Sequence, residues 1–261
     1  MTTHFYIRPE DVRDDRVHFR ADETKHIRSV LRLVSGDVIT AVDGRDNEFA
    51  VVLERIGATS AEGRIIHHRR RQREPIAEVT LAQALPKGGK LGQIIQEGTE
   101  LGAYGIWPMI TERTLIPLAR GSASGKLGRW QRIAIGAMKQ SLRTHLPEVK
   151  APVTFAEILK QIPRFDVSLM AALSEDALPL GRVLAEVASR RRILILVGPE
   201  GGFSGEEIRQ ARSSGVRTVT LGPRRLRAET AATVFLGLVM FQLGELDQKG
   251  VLRLEDLPEK P

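Results

Sequence analysis

Residues 193–197 (ILILV) are apolar at every position and rich in β-branched side chains. Such a run predicts a strand buried on both faces of a parallel sheet. It stops at Gly198-Pro199-Glu200-Gly201-Gly202, where proline ends the ladder and glycine admits backbone angles closed to other residues. Ser204 and Glu207 have the S-x-x-E spacing of a capping box, which predicts a helix ending at Gly215. Residues 216–221 alternate as a second strand, broken by Leu221-Gly222-Pro223. A further helix starts near Glu229, and its segment 231–241 is apolar on nearly every side. Both glycine loops thus fall at the C-terminal ends of strands, where open α/β sheets bind ligands.

The first 72 residues have a different texture. Short strands are expected at 4–8, 17–20, 38–42 and 49–53, with a turn at Asp43-Gly44. Ile27, Val30, Leu31 and Val34 recur at helical spacing, so 21–33 reads as one amphipathic helix. A small β-barrel with one helix fits this pattern. The basic run His67-His68-Arg69-Arg70-Arg71-Gln72-Arg73 is expected to lead into a linker; like charges this close repel unless an anion such as phosphate sits against them, and an exposed linker is the equal alternative.

From Val79 strands and helices alternate, which predicts a mainly parallel sheet. Residues 79–85 read as a strand and 90–101 as a helix, whose Gly92 and Gly98 imply close packing. Residues 121–128 read as a loop, followed by a helix from Arg129 that ends near Pro147. A strand at 166–173 and a crossover helix at 176–189 follow, and the tail beyond Asp247 is expected to fray. The fold class is therefore α/β in two domains, 1–72 and 73–261.

Composition narrows the chemistry. With no cysteine there can be no disulfide, cysteine zinc site or cysteine nucleophile, and a reducing, cytoplasmic compartment is the natural fit. The six histidines show no H-E-x-x-H or similar spacing, so no metal is expected. The first fifteen residues carry no long apolar run, so no secretory leader is expected, and no run is long enough to span a membrane. The net charge of +7 permits a polyanionic partner without demanding one. The glycines fit neither G-x-G-x-x-G nor a P-loop, because neither Gly89-Lys90 nor Gly125-Lys126 has the flanking residues of a Walker motif.

The motif GPEGGFS-x-E-E-I, followed about twenty residues later by LGPRRLRAETAA, is more specific than either part alone. The pair resembles the RsmE family of the SPOUT class, which methylates N3 of one uracil in 16S ribosomal RNA of the small subunit. Arg225 and Ala228 stand where that family usually has Ile and Thr. Similar family patterns are the H-x-x-x-V-L-R-L-x-x-G-D-x-I-x-x-x-D-G order from His26 to Gly44, the E-L-G-x-x-x-I-x-P of 100–108, and R-W-x-R-I with Q-S-x-R at 129–143. Glu97 and Lys139 replace the family's usual Lys and Glu. The resemblance implies a C-terminal trefoil knot, an exception to the rule that chains do not thread themselves. It also implies a PUA-like RNA-binding domain in front, S-adenosylmethionine as donor, and a homodimer, for which the apolar helix after Glu229 is the expected interface.

Under this reading the donor site comprises Leu173, Gly198, Glu200, Gly201, Gly202, Leu221, Gly222 and Leu226. Backbone groups of the loops would hold the donor and the leucines would wall it, while Glu200 would brace its loop by hydrogen bonding. Loss of the uracil N3 proton builds negative charge, which Arg227, or secondarily Arg225, would stabilise, with Glu229 as proton acceptor. Arg8, Lys25, Arg28, Arg32, Lys139, Gln140 and Arg143 are the candidate RNA contacts. Taken without the resemblance, Lys25, Arg28 and Arg32 would equally serve as a solvated helix face, and Glu229 as an ordinary first-turn carboxylate. Ribose 2′-O methylation and non-catalytic RNA binding remain open alternatives.

Overall fold

The computed structural model describes residues 4–71, 73–115, 122–186 and 191–247. The chain forms two compact units, the first made of residues up to Glu74 together with Met138–Leu146, the second of Pro75–Ala137 and Pro147–Gln248.

In the first unit the strands are β1 (His4–Tyr6), β2 (Val12–Arg13), β3 (Arg16–Phe19), β4 (Val38–Val42), β5 (Asn47–Ile56) and β6 (Ala61–Arg70). They make one sheet in the order β1-β4-β5-β6-β3-β2, antiparallel except for the β1–β4 pair. Phe5, Phe19, Ile27, Val51 and Leu53 fill its core. Gly63 is demanded by close approach, since a Cβ there would come within 2.6 Å of the Val52 carbonyl oxygen. The segment 138–146 joins this unit through a bridge between Arg45 and His145.

The helix expected over 21–33 is a short α1 (Ala21–Lys25) followed by a π-helical turn, His26–Val30, in which Leu31 N–H bonds back to the His26 carbonyl at 3.0 Å. The wider turn breaks the 3.6-residue period. Of the expected apolar stripe Ile27 alone is buried, while Val30, Leu31 and Val34 face solvent. The basic run at 67–73 is not a linker through its first four residues: 67–70 complete β6, paired residue by residue with the start of β5. An extended backbone sends alternate charges to opposite faces. Acidic partners relieve the rest, Asp46 to Arg71 at 3.2 Å and Glu48 to Arg73.

The second unit holds an eight-stranded sheet. Its elements are β7 (Glu78–Ala84), α2 (Leu91–Glu100), β8 (Gly105–Ile110), α3 (Ser122–Gln140), β9 (Glu148–Val149), β10 (Val153–Thr154), α4 (Phe155–Leu159), β11 (Val167–Ala171), β12 (Leu178–Pro179), α5 (Leu180–Leu184), β13 (Arg192–Val197), α6 (Gly205–Ser213), β14 (Arg217–Thr220) and α7 (Ala228–Gln242). Helix α3 begins within the stretch expected to be a loop, because helix propagation adds a hydrogen bond for each residue ordered. The crossover helix expected at 176–189 is reduced to α5, and 187–190 and the tail beyond Asp247 lie outside the described residues.

The order is β10-β8-β7-β13-β11-β14-β12, with β9 also on β8, and every pair is parallel. Alternation sorts the central strands. Ala82, Ala84, Leu194 and Leu196 join Phe155, Ile158, Phe203 and Ala211 in one buried cluster beneath α4 and α6. Helix α7 packs on β7 and β13 and against α2. Gly98 permits that contact, since a Cβ there would lie 3.1 Å from Ile106 and 3.9 Å from Leu236.

Candidate functional site

Because β11, β13 and β14 are adjacent and parallel, their C-terminal ends meet at one edge. The residues that follow them enclose a cavity of about 240 Å³. All eight residues expected from the sequence to hold a donor line it: Leu173 after β11, Gly198, Glu200, Gly201 and Gly202 after β13, and Leu221, Gly222 and Leu226 after β14. At Gly202 (φ 67°) and Gly222 (φ 103°) the backbone is left-handed, and a Cβ would meet no atom within 4 Å. Both backbones therefore stand open to the cavity. The Gly202 N–H closes a turn onto the Pro199 carbonyl at 2.8 Å. The capping box at Ser204 and Glu207 forms as its spacing required.

Long-range hydrogen bonds hold the first loop. Glu200 accepts from the Lys87 N–H at 3.0 Å, and Arg113 Nη1 donates to the Gly201 carbonyl at 2.8 Å. Arg113, Arg224 and Arg225 also line the cavity and bring positive charge to it. Arg113 was not foreseen. It lies 88 positions from Gly201, and no local pattern marks it.

Arg227 is exposed at the N-cap of α7 and is not among the lining residues. Glu229, two residues on, is buried and accepts from Lys90 Nζ at 2.7 Å. Its second oxygen, Oε2, is buried with no hydrogen-bond partner. The Lys90 hydrogen bond holds the Glu229 carboxyl below the ordinary carboxylate range, outweighing burial, and Arg227 adds a smaller pull in the same direction. Glu229 is thus an ion-paired anion and a weak proton acceptor. Lys90 too was missed; the sequence displays it only as part of an incomplete P-loop pattern.

The sequence pattern of the RNA methyltransferase domain matches residues 72–240, and that of the RNA methyltransferase PUA domain matches 19–66. The ribosomal RNA small subunit methyltransferase E of a Synechocystis strain is 34% identical over 92% of this chain and 77% of its own length. The chain belongs to the ribosomal RNA small subunit methyltransferase E family. Its relative from Bacillus subtilis is 31% identical over 85% of this chain and 88% of its own. The crystal structure of the family member from Neisseria gonorrhoeae, bound to S-adenosyl methionine, superposes with a TM-score of 0.82 at 30% identity, covering 92% of this chain and 98% of that one.

The expected RNA contacts divide. Arg8, Lys25, Arg28 and Arg32 are exposed, the last three beside the exposed Val30, Leu31 and Val34. Gln140 is exposed as well. Lys139 is engaged with Glu23 at 2.6 Å and only 18% exposed. Arg143 is buried, its guanidinium bound to Glu74. Its side chain therefore has no surface to offer a nucleic acid.

Proposed function

We propose that this chain transfers a methyl group from S-adenosylmethionine to N3 of one uracil in 16S ribosomal RNA of the small ribosomal subunit. The observation that carries the reading is the convergence of both glycine loops and Leu173 on one cavity. The cavity fits such a donor, with two open left-handed glycine backbones, leucine walls at 173, 221 and 226, and glycine-loop backbone for the polar ends. When bound, the donor supplies an electrophilic methyl carbon on a sulfonium, so the acceptor nitrogen must present a lone pair.

This chain's own task is to orient the base and release one proton. Arg227, solvent-facing at the start of α7, is available to meet the developing charge on a uracil oxygen. Glu229 is the proposed acceptor, acting through water, although its pairing with Lys90 makes it a poor base. Arg8, Lys25, Arg28, Arg32 and Gln140 would contact RNA, and Lys139 through whatever surface Glu23 leaves it.

Calorimetry and mass spectrometry of the modified RNA test the reading. The wild type should bind the donor and yield 3-methyluridine. Gly202→Val, which forces a β-branched side chain into a left-handed position, should abolish binding in a protein with unchanged circular dichroism. Normal donor affinity in that variant, or a ribose-methylated product, would overturn the proposal.

The same reading includes a trefoil-knotted path and a homodimer in the cytoplasm. The chain leaves β14 and returns over β13 and β7 as α7, which accords with threading. Val234, Leu238 and Phe241 are exposed along one stripe of α7, a face suited to a second copy. Light scattering at micromolar concentration would detect that dimer.

A further inference from the structure

The connection after β7, residues 85–90, is a third glycine-bearing loop at the same sheet edge. Strand β7 is hydrogen-bonded to β13, so this loop borders residues 198–202. Gly88 (φ 67°) and Gly89 (φ 76°) give it a left-handed bend. It touches one residue that lines the donor cavity and one in the helix turn that borders it. The Lys87 N–H holds Glu200, which lines the cavity, at 3.0 Å. The Lys90 ammonium holds Glu229 at 2.7 Å. Glu229 stands in the first turn of α7, directly after the 221–226 loop, and its neighbours Ala228 and Ala231 line the cavity.

Glu229 is 9% exposed, and Oε2 has no partner. A carboxylate buried to this degree, with one oxygen unpartnered, persists as an anion only beside a cation. Among the described residues, the charged groups acting on it are Lys90 at the start of α2 and Arg227 at the cap of its own helix; Glu97 of α2 accepts from Thr233, one turn further along α7. Among the described residues Lys90 alone forms an ion pair with it.

We propose that Lys90 is a positioning residue of the methyltransferase site: by holding Glu229 as a buried anion it locks the first turn of α7, and with it the 221–226 loop, in the shape that receives the donor. The proposal rests on the donor reading above. Without Lys90 the anion has two releases. It can take up a proton, or it can swing to water and pull the first turn of α7 out of register with the cavity. The first release is open at low pH and the second at high pH.

Calorimetry of S-adenosylmethionine binding at pH 6 and pH 8 therefore separates this role from simple packing. Wild type and Lys90→Arg should bind equally well at both. Lys90→Met should bind about tenfold more weakly at pH 8, the scale of one charged hydrogen bond, and recover much of that at pH 6. Lys90→Met with Glu229→Gln should bind nearly as wild type, independent of pH. A carbon-13 titration of the Glu229 carboxyl in donor-free protein should move upward in Lys90→Met. Wild-type affinity in Lys90→Met at both pH values would overturn the lock. So would a loss that neither pH nor Glu229→Gln relieves, or an unmoved carboxyl titration. Absence of donor binding by the wild type would overturn the donor reading instead, and the carboxyl titration would still decide whether Lys90 holds Glu229 ionised.

Discussion

The Arg143 guanidinium lies on the Glu74 carboxylate, with Nη2 2.7 Å from Oε2, and the two side chains are 5% and 1% exposed. The other oxygen of Glu74 accepts from the backbone N–H of Thr144 at 2.6 Å and of His145 at 2.9 Å. One carboxylate thus ties the 138–146 segment into the first unit. Breaking such a pair from one side leaves a buried charge alone, at a cost of about 3–5 kcal/mol. Arg143→Ala should lower the stability of the first unit by that amount in urea denaturation. Replacing both residues together with apolar ones of similar volume should lose much less. A loss of RNA affinity without a loss of stability would return Arg143 to the RNA surface.

His4 makes stability depend on acidity. It is 2% exposed, and burial, followed by the positive charge of Arg73, lowers its pKa from 6.5 to about 4. The unfolded chain takes a proton near pH 6.5 and the folded chain resists it until near pH 4. The stabilisation from keeping His4 neutral is therefore complete above pH 6.5 and lost progressively as pH falls toward 4, up to about 3 kcal/mol. Denaturation of wild type and His4→Leu across this window should show a slope that the variant lacks.

RNA binding should separate the exposed cations from the buried one. Neutralising Lys25, Arg28 or Arg32 should each shallow the plot of log affinity against log salt by roughly 0.7 to 0.9, the release of one phosphate's counterions. Arg143→Met, in protein kept folded by a matching change at Glu74, should leave the slope as in wild type. Unchanged slopes in all the surface variants would make these residues an ordinary solvated face.

Arg225 and Arg227 should fail in different steps. Arg225 lines the cavity and Arg227 does not. Arg227→Ala should slow methyl transfer about 10²- to 10³-fold with little change in donor affinity, because the charge it meets arises only in the transition state. Arg225→Ala should cost less in rate and weaken donor binding. Single-turnover kinetics on small-subunit particles, with donor calorimetry, measures both. A wild-type rate in Arg227→Ala would remove it from the chemistry.

The chain's own sequence determined whatever is encoded within a few neighbouring residues. Consecutive apolar positions made 193–197 a doubly buried strand, spacing made Ser204 and Glu207 a capping box, and glycine made 198–202 and 221–222 loops at strand ends. Those local facts were enough to bring both glycine loops to the cavity, and the motif pair was enough to indicate the family and, through it, the residues expected to hold a donor. Tertiary structure alone decided which distant groups meet. Lys90 and Glu229 are 139 positions apart, Arg113 and Gly201 88, and Glu74 and Arg143 69. Each pairing depends on strand order or on a segment returning to another unit, and neither leaves a periodic trace. The same limit explains the π-turn at 26–30 and the strand hidden in the basic run at 67–70. In both, non-local partners, the sheet beneath Ile27 and the facing strand β5, overruled what the local pattern favoured.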